Sequence, residues 1–162
     1  MGMSEADAAH LVVAVALTYL LGFEREIRGA PAGDRVFALI GAGAGVVGII
    51  ALHGAPNALA GAITGIGFIG GGLIFRQAFR SQQMVMGVTT AAAIFAATAI
   101  GAAAGQGRLL LAIVATALAL FVLEIRHIRW LRVLDGRRWS RYFPDDDAPV
   151  HDDQPSEEPD GH

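Results

Sequence analysis

No aspartate or glutamate occurs between Asp34 and Glu124, and this acid-free interval restricts the fold more than any other feature of the sequence. The charged residues inside it are four arginines, which lie at the ends of apolar runs: Arg35, Arg76, Arg80 and Arg108. The runs have the length and composition of membrane-spanning helices. Of all residues 54% are hydrophobic and 17% are charged, against about 25% charged in soluble domains, so the chain is predicted to lie in lipid.

Five apolar segments predict five transmembrane helices, at about residues 8–23, 36–52, 58–75, 85–104 and 109–123. We therefore expect an all-α polytopic membrane protein, a bundle of about five transmembrane helices with a glycine-rich pair at its centre. Glu5 and Asp7 stand where a cleaved signal peptide has basic residues, so the first segment is expected to remain in the mature protein.

The arginines predict the orientation. Along the chain the successive non-membrane segments hold 0, 3, 0, 2, 1 and 6 arginines. Because cytoplasmic loops carry the excess of basic residues, the N-terminus is expected outside and the C-terminus in the cytoplasm. The arginine counts therefore predict a multi-pass membrane protein in this orientation.

Two further regions are expected after the transmembrane domain of residues 1–125. Residues 126–143 are basic and carry both tryptophans, which suits a juxtamembrane segment on an anionic leaflet. Residues 144–162 hold eight acidic residues and no arginine or lysine, which predicts a disordered tail. No nucleic-acid-binding module surrounds the basic segment, so nucleic acid is not an expected partner.

Gly65, Gly67 and Gly70 spell the G-x-G-x-x-G pattern of dinucleotide-binding turns. That site requires a preceding strand and an acidic residue about 20 positions further on, and the chain has no acid there. The alternative is helix packing, since glycines four residues apart let membrane helices approach closely. Gly41 and Gly45, with Gly61 and Gly65, predict close antiparallel packing of the second and third helices. No enzymatic activity and no cofactor are expected.

Gly70, Gly71 and Gly72 exceed what one packing face requires, because three consecutive glycines point to every side of a helix. Two interpretations stay open. The run either marks a break in the membrane helix or allows a close backbone approach.

The first interhelical loop carries the densest charge. Glu24 and Arg28 are four residues apart, so on a continuing helix they form an ion pair. The alternative is an interfacial site in which Glu24 or Glu26 binds a cation or a partner protein. Gly29 and Gly33 flank a proline turn whose N–H groups would form an anion nest beside the arginines. The hydroxyls of Thr89 and Thr90 are expected to serve packing, and no metal site with three or four ligands is visible.

Three stretches resemble the MgtC/SapB family of bacterial inner-membrane proteins: LLGFEREIRGAPAGDR, AGAITGIGFIGGGLIF and VMGVTTAAAIFAATAIGAAAGQG. They cover about residues 20–107. The resemblance implies thirteen candidate functional positions: Glu24, Arg25, Glu26, Arg28, Gly29, Gly33, Arg35, Gly65, Gly67, Gly70, Gly72, Thr89 and Thr90.

The resemblance implies a non-enzymatic regulator or interaction protein linked to growth at low magnesium and, in some members, to modulation of the ATP synthase. Its expected partners are the bilayer and a second copy or another membrane protein, with Mg²⁺ involved only indirectly. A homo-oligomeric transporter or channel for small ions is the alternative. The chain departs from the family at Asp34, Asn57 and Met86, and it is expected to be without the ACT-like domain of longer members.

Overall fold

The structure, a computed structural model, describes residues 4–78 and 87–125 of the chain, and these residues form five α-helices. The helices are α1 (Glu5–Ile27), α2 (Asp34–Leu52), α3 (Asn57–Ala78), α4 (Val88–Gly105) and α5 (Leu109–Glu124). All regular structure in the described ranges is helical, which confirms the predicted all-α class.

Four of these helices are long and apolar enough to cross a membrane: Glu5–Ile27, Asp34–Leu52, Asn57–Ile74 and Val88–Gly105. The helix α5 is apolar but has 16 residues, fewer than a straight span requires. The chain is therefore a multi-pass helical membrane protein, and its outer surface lies in the lipid bilayer.

Both ends of α1 extend beyond the predicted span of residues 8–23. At its start the Ser4 N–H donates to Asp7 Oδ2 at 3.0 Å, and the Asp7 N–H donates to Ser4 Oγ at 3.1 Å. This capping box satisfies two N–H groups that a helix end otherwise leaves free. At its other end α1 continues to Ile27, so Glu24 lies within the helix.

The centre of the fold is the contact between α2 and α4, where glycines bring the two backbones together. A Cβ at Gly101 would lie 2.9 Å from the Gly41 carbonyl oxygen, and one at Gly105 would collide with the backbone of Gly45. One at Gly48 would likewise meet the Ala102 carbonyl. We call this line of backbone contact the glycine seam; it consists of Gly41, Gly45, Gly48, Gly101 and Gly105. Membrane helices use such small-residue packing because lipid provides no hydrophobic driving force for their association.

The helix α1 packs on the same seam. Its Thr18 side chain, which is fully buried, occupies the space that a Cβ of Gly41 would need. Below it, a Cβ at Gly45 would lie 3.1 Å from the Ala14 Cβ. The three helices α1, α2 and α4 therefore form one tightly packed core.

The predicted close pairing of the second and third helices is wrong. The helix α3 packs mainly on α4 and only lightly on α2. Nothing lies within 4 Å of a Cβ built at Gly61 or Gly65, so these glycines do not serve packing within the described bundle. The glycine-rich pair at the centre consists of α2 and α4, because Gly101 and Gly105 meet the α2 glycines instead.

The run of three glycines does not break α3, which is helical from Asn57 to Ala78. Gly70 faces α4, where its Cβ would lie 3.4 Å from the Ala91 Cβ. Gly71 and Gly72 face open space. The break therefore does not form, and a Cβ at Gly70 would make only an ordinary van der Waals contact with α4.

The compact unit that contains these helices ends at Leu123, and a second unit runs from Glu124 to His162. Beyond Ile125 the chain lies outside the described residues. The basic segment at 126–143 and the acidic tail at 144–162 fall there and remain predictions. The loop positions 79–86, with Arg80 and Met86, also lie outside the described residues.

Candidate functional site

The end of α1 and the start of α2 bring together seven of the thirteen candidate positions, and the way α1 ends explains how. The Ala30 N–H donates to the Arg25 carbonyl at 3.0 Å, and the Gly29 N–H donates to the Glu26 carbonyl at 3.0 Å. Gly29 has φ of 65°, the left-handed conformation that favours glycine. This helix-ending motif reverses the chain toward α2. Because it uses the N–H groups of Gly29 and Ala30, the predicted anion nest does not form with them.

Glu24 is one of two buried charged residues among those that the structure describes; like Asp7, it is 9% exposed. Its Oε2 lies 3.6 Å from Arg25 Nη1, and its Oε1 lies 3.6 Å from Arg28 Nε. The predicted pair of Glu24 and Arg28 is therefore confirmed, and Arg25 joins it. We call these three residues the Glu24 cluster.

Charge holds the Glu24 carboxylate beside the two arginines. Distances of 3.6 Å exceed the 2.7–2.9 Å of charge-assisted hydrogen bonds. Neither carboxylate oxygen of Glu24 accepts a hydrogen bond from the part of the chain that the structure describes, and Arg25 Nε donates none there. A buried carboxylate in this state costs free energy, because burial removes its hydration.

Glu26 points the other way, toward the first turn of α2. Its carboxylate occupies the position that a Cβ of Gly33 would need, so Gly33 is the residue that lets this side chain reach the helix start. A negative charge at a helix N-terminus is favourable because of the helix dipole. Beside it the Arg35 N–H donates to Asp34 Oδ1 at 2.6 Å.

The remaining candidate positions lie elsewhere. Gly65, Gly67 and Gly72 are exposed on α3, and nothing lies within 4 Å of a Cβ built at any of them. Gly65, Gly67 and Gly70 all lie inside a helix, which removes the strand and turn that a dinucleotide site needs.

The stretches AGAITGIGFIGGGLIF and VMGVTTAAAIFAATAIGAAAGQG meet at one point, where Gly70 lies against Ala91. There Thr90 is buried and Thr89 is exposed. The start of α4 is set by Gly87, whose φ of 94° lies in the left-handed range, so the helix begins at Val88 and not at 85.

Sequence reasoning missed the residues that hold the site in place. A Cβ at Gly22 would lie 2.6 Å from the Phe37 Cβ, and Phe37 is fully buried, so this glycine fixes the end of α1 against α2. The pair Gly101 and Gly105 was missed as well. Their four-residue spacing is the signal that could have identified them.

Comparisons with known proteins agree with this picture of a small helical membrane protein. The MgtC family matches residues 11–129 of the chain. "Putative magnesium transporter YhiD" of Escherichia coli (strain K12) is 33% identical over 138 residues, which covers 77% of this chain and 62% of YhiD. "Protein SrpB" of Synechococcus elongatus is 31% identical over 150 residues, with 81% of this chain and 80% of SrpB covered.

"Protein MgtC" of Brucella abortus (strain 2308) is 37% identical over 114 residues, covering 67% of this chain and 46% of that protein. The chain thus spans about three fifths of YhiD and about half of this MgtC. No solved structure matches it.

Proposed function

This chain belongs to the MgtC family, and from that premise we propose that it is a non-enzymatic regulator or interaction protein of the bacterial inner membrane, linked to magnesium limitation or membrane energetics. In this proposal the protein acts by contacts of its helices with a larger membrane complex. Magnesium enters only indirectly, as the condition under which the protein is needed.

The observation that carries the proposal is the core formed by α1, α2 and α4. Backbones touch along the glycine seam, and the threonine hydroxyls donate to their own helices. Thr18 Oγ1 donates to the Ala14 carbonyl at 2.9 Å, and Thr98 Oγ1 donates to the Ile94 carbonyl at 3.0 Å. An ion path requires polar groups that are free to replace hydration. A core packed in this way supports a protein that works through its outer surface.

The helix α3 is the part of that surface best suited to a partner helix. It is 22 residues long, and Phe68 at its middle is 85% exposed. Gly61, Gly65 and Gly72 lie on the same side as Phe68, because they are separated by three, four or seven residues. Glycines on an outer face let a neighbouring membrane helix approach closely.

The alternative is a homo-oligomeric transporter or channel for small ions. It is favoured by the carboxylates of Glu24, Glu26 and Asp34 at one end of the bundle, and by the name of the relative YhiD. Intramembrane or buried ionisable groups often mark ion pathways.

Purification from native membranes and flux measurements distinguish a regulator from a transporter. In the first, the tagged full-length protein is isolated from membranes of cells grown at low and at high magnesium. We expect a stoichiometric membrane partner that is lost in Gly72→Leu. Recovery of the protein only as a homo-oligomer would count against regulation by contact.

In the second experiment, proteoliposomes with oriented protein are loaded with a magnesium-sensitive dye. We expect no flux above that of empty liposomes. Flux that disappears in Glu24→Gln would establish the transporter instead.

A further inference from the structure

The loose contact between α2 and α3 leaves an apolar groove of about 440 Å³. Its lining includes Val36, Leu39, Ile40, Gly43, Ile66 and Ile69. From Val36 to Gly43 it follows α2 for about 10 Å, at about 1.5 Å per helical residue. Gly43 and Gly65 have no side chains to fill the groove, and an added Cβ at either would meet nothing within 4 Å.

A second cavity, of about 380 Å³, lies at the start of α2 and is lined by Glu26, Gly33, Asp34, Arg35 and Val36. Val36 lines both cavities, so the two are adjacent at the start of α2. The first residue of a predicted membrane span is where hydrocarbon gives way to headgroups. The two cavities together therefore offer a polar compartment at the headgroup level and an apolar one below it.

The charges of the polar cavity are mixed. Arg35 is exposed, and its guanidinium makes no hydrogen bond or ion pair with the residues at 4–78 and 87–125. Asp34 uses one carboxylate oxygen for the Arg35 N–H. Its other oxygen and the carboxylate of Glu26 remain as acceptors beside the Arg35 cation.

We propose that the two cavities bind one membrane phospholipid with a primary-amine headgroup, of the phosphatidylethanolamine class. An acyl chain fills the groove between α2 and α3, the phosphate binds Arg35, and the ammonium donates to Glu26 and Asp34. This inference concerns a lipid ligand and goes beyond the proposed function, which concerns a protein partner.

Charge complementarity selects this headgroup over the other common ones. A glycerol headgroup carries only the negative phosphate, so the two carboxylates would face it without a cation. A choline headgroup has a positive charge but no N–H to donate. Only an amine supplies both the positive charge and the charge-assisted hydrogen bonds that carboxylates accept.

The test is native mass spectrometry of the full-length protein, delipidated in detergent and titrated with three phospholipids that share the same acyl chains. The headgroups are ethanolamine, choline and glycerol. We expect the ethanolamine lipid to bind roughly tenfold more tightly than the other two, the effect of one charge-assisted hydrogen bond. Arg35→Gln should weaken binding of all three, and Asp34→Asn should reduce the preference for ethanolamine over choline.

Gly43→Leu tests the groove, because Gly43 lines it and an added Cβ there meets nothing within 4 Å. Gly71→Leu is the matched control, since a Cβ there also meets nothing within 4 Å and Gly71 does not line the groove. We expect Gly43→Leu to lower binding of the ethanolamine lipid roughly tenfold and Gly71→Leu to leave it unchanged. Equal binding of the three lipids by the unmodified protein, or equal binding by the two leucine variants, would overturn the proposal.

Discussion

Replacing Gly101 by alanine tests the glycine seam between α2 and α4. The added Cβ would lie 2.9 Å from both the Gly41 carbonyl oxygen and the Ala44 Cβ, where ordinary contact begins at 3.4 Å. One of its two neighbours is backbone, which cannot rotate away. The helices must therefore separate by about half an ångström, and that loosens close packing along the whole seam.

The magnitude follows from two opposing effects. Overpacking of a dense core costs about 1–3 kcal/mol. Alanine is a better helix former than glycine by about 1 kcal/mol. We therefore expect Gly101→Ala to lower the free energy of unfolding by up to about 2 kcal/mol.

The assay is unfolding in mixed micelles, with helix content followed by circular dichroism as the denaturing detergent is increased. Gly43→Ala is the matched control, because its Cβ meets nothing within 4 Å, and it should be neutral or stabilising. If Gly101→Ala and Gly43→Ala unfold at the same detergent fraction, the backbone contact of α2 with α4 does not limit stability and the reasoning is refuted.

Three further changes probe the charged loop and the core by the same unfolding assay. Glu24→Ala should cost about 3 kcal/mol, because it leaves Arg25, whose side chain is 13% exposed, without its counter-charge. The exposed Glu26→Ala should cost less than about 1 kcal/mol, and equal costs would contradict the burial argument. Thr18→Leu should destabilise by about 2 kcal/mol, since the Thr18 side chain already fills the space above Gly41, and a neutral result would argue against that contact. Gly29→Ala should cost about 1 kcal/mol from its φ of 65° alone, because nothing lies within 4 Å of the new Cβ, and a stabilising effect would contradict the left-handed turn.

The apolar runs predicted the helices well because bilayer thickness fixes how long an apolar segment must be. Helix ends were predicted less well, since they depend on local hydrogen bonds. The capping box of Ser4 and Asp7 adds a turn to α1, and the left-handed Gly87 shortens α4. Neither effect changes the mean hydropathy from which membrane spans are predicted.

The helix partners could not be predicted, for a related reason. A four-residue glycine spacing indicates a packing face but not the helix that meets it. Gly41 and Gly45 were matched to the next helix in sequence, whereas their partners are Gly101 and Gly105.

In the charged loop, the pair of Glu24 and Arg28 followed from helical spacing alone. The burial of Glu24 did not, because it depends on how α1 lies against α2.

The most direct test of regulation by helix contact is site-specific photocrosslinking in native membranes. A crosslinking amino acid is placed at Phe68 of α3 or at Leu110 of α5, which are 85% and 76% exposed and so differ little in their access to lipid. The account predicts a discrete adduct with another membrane protein from position 68, absent from position 110 and lost when Gly72→Leu is added. Adducts of equal yield from both positions, or an adduct only with a second copy of this chain, would contradict it.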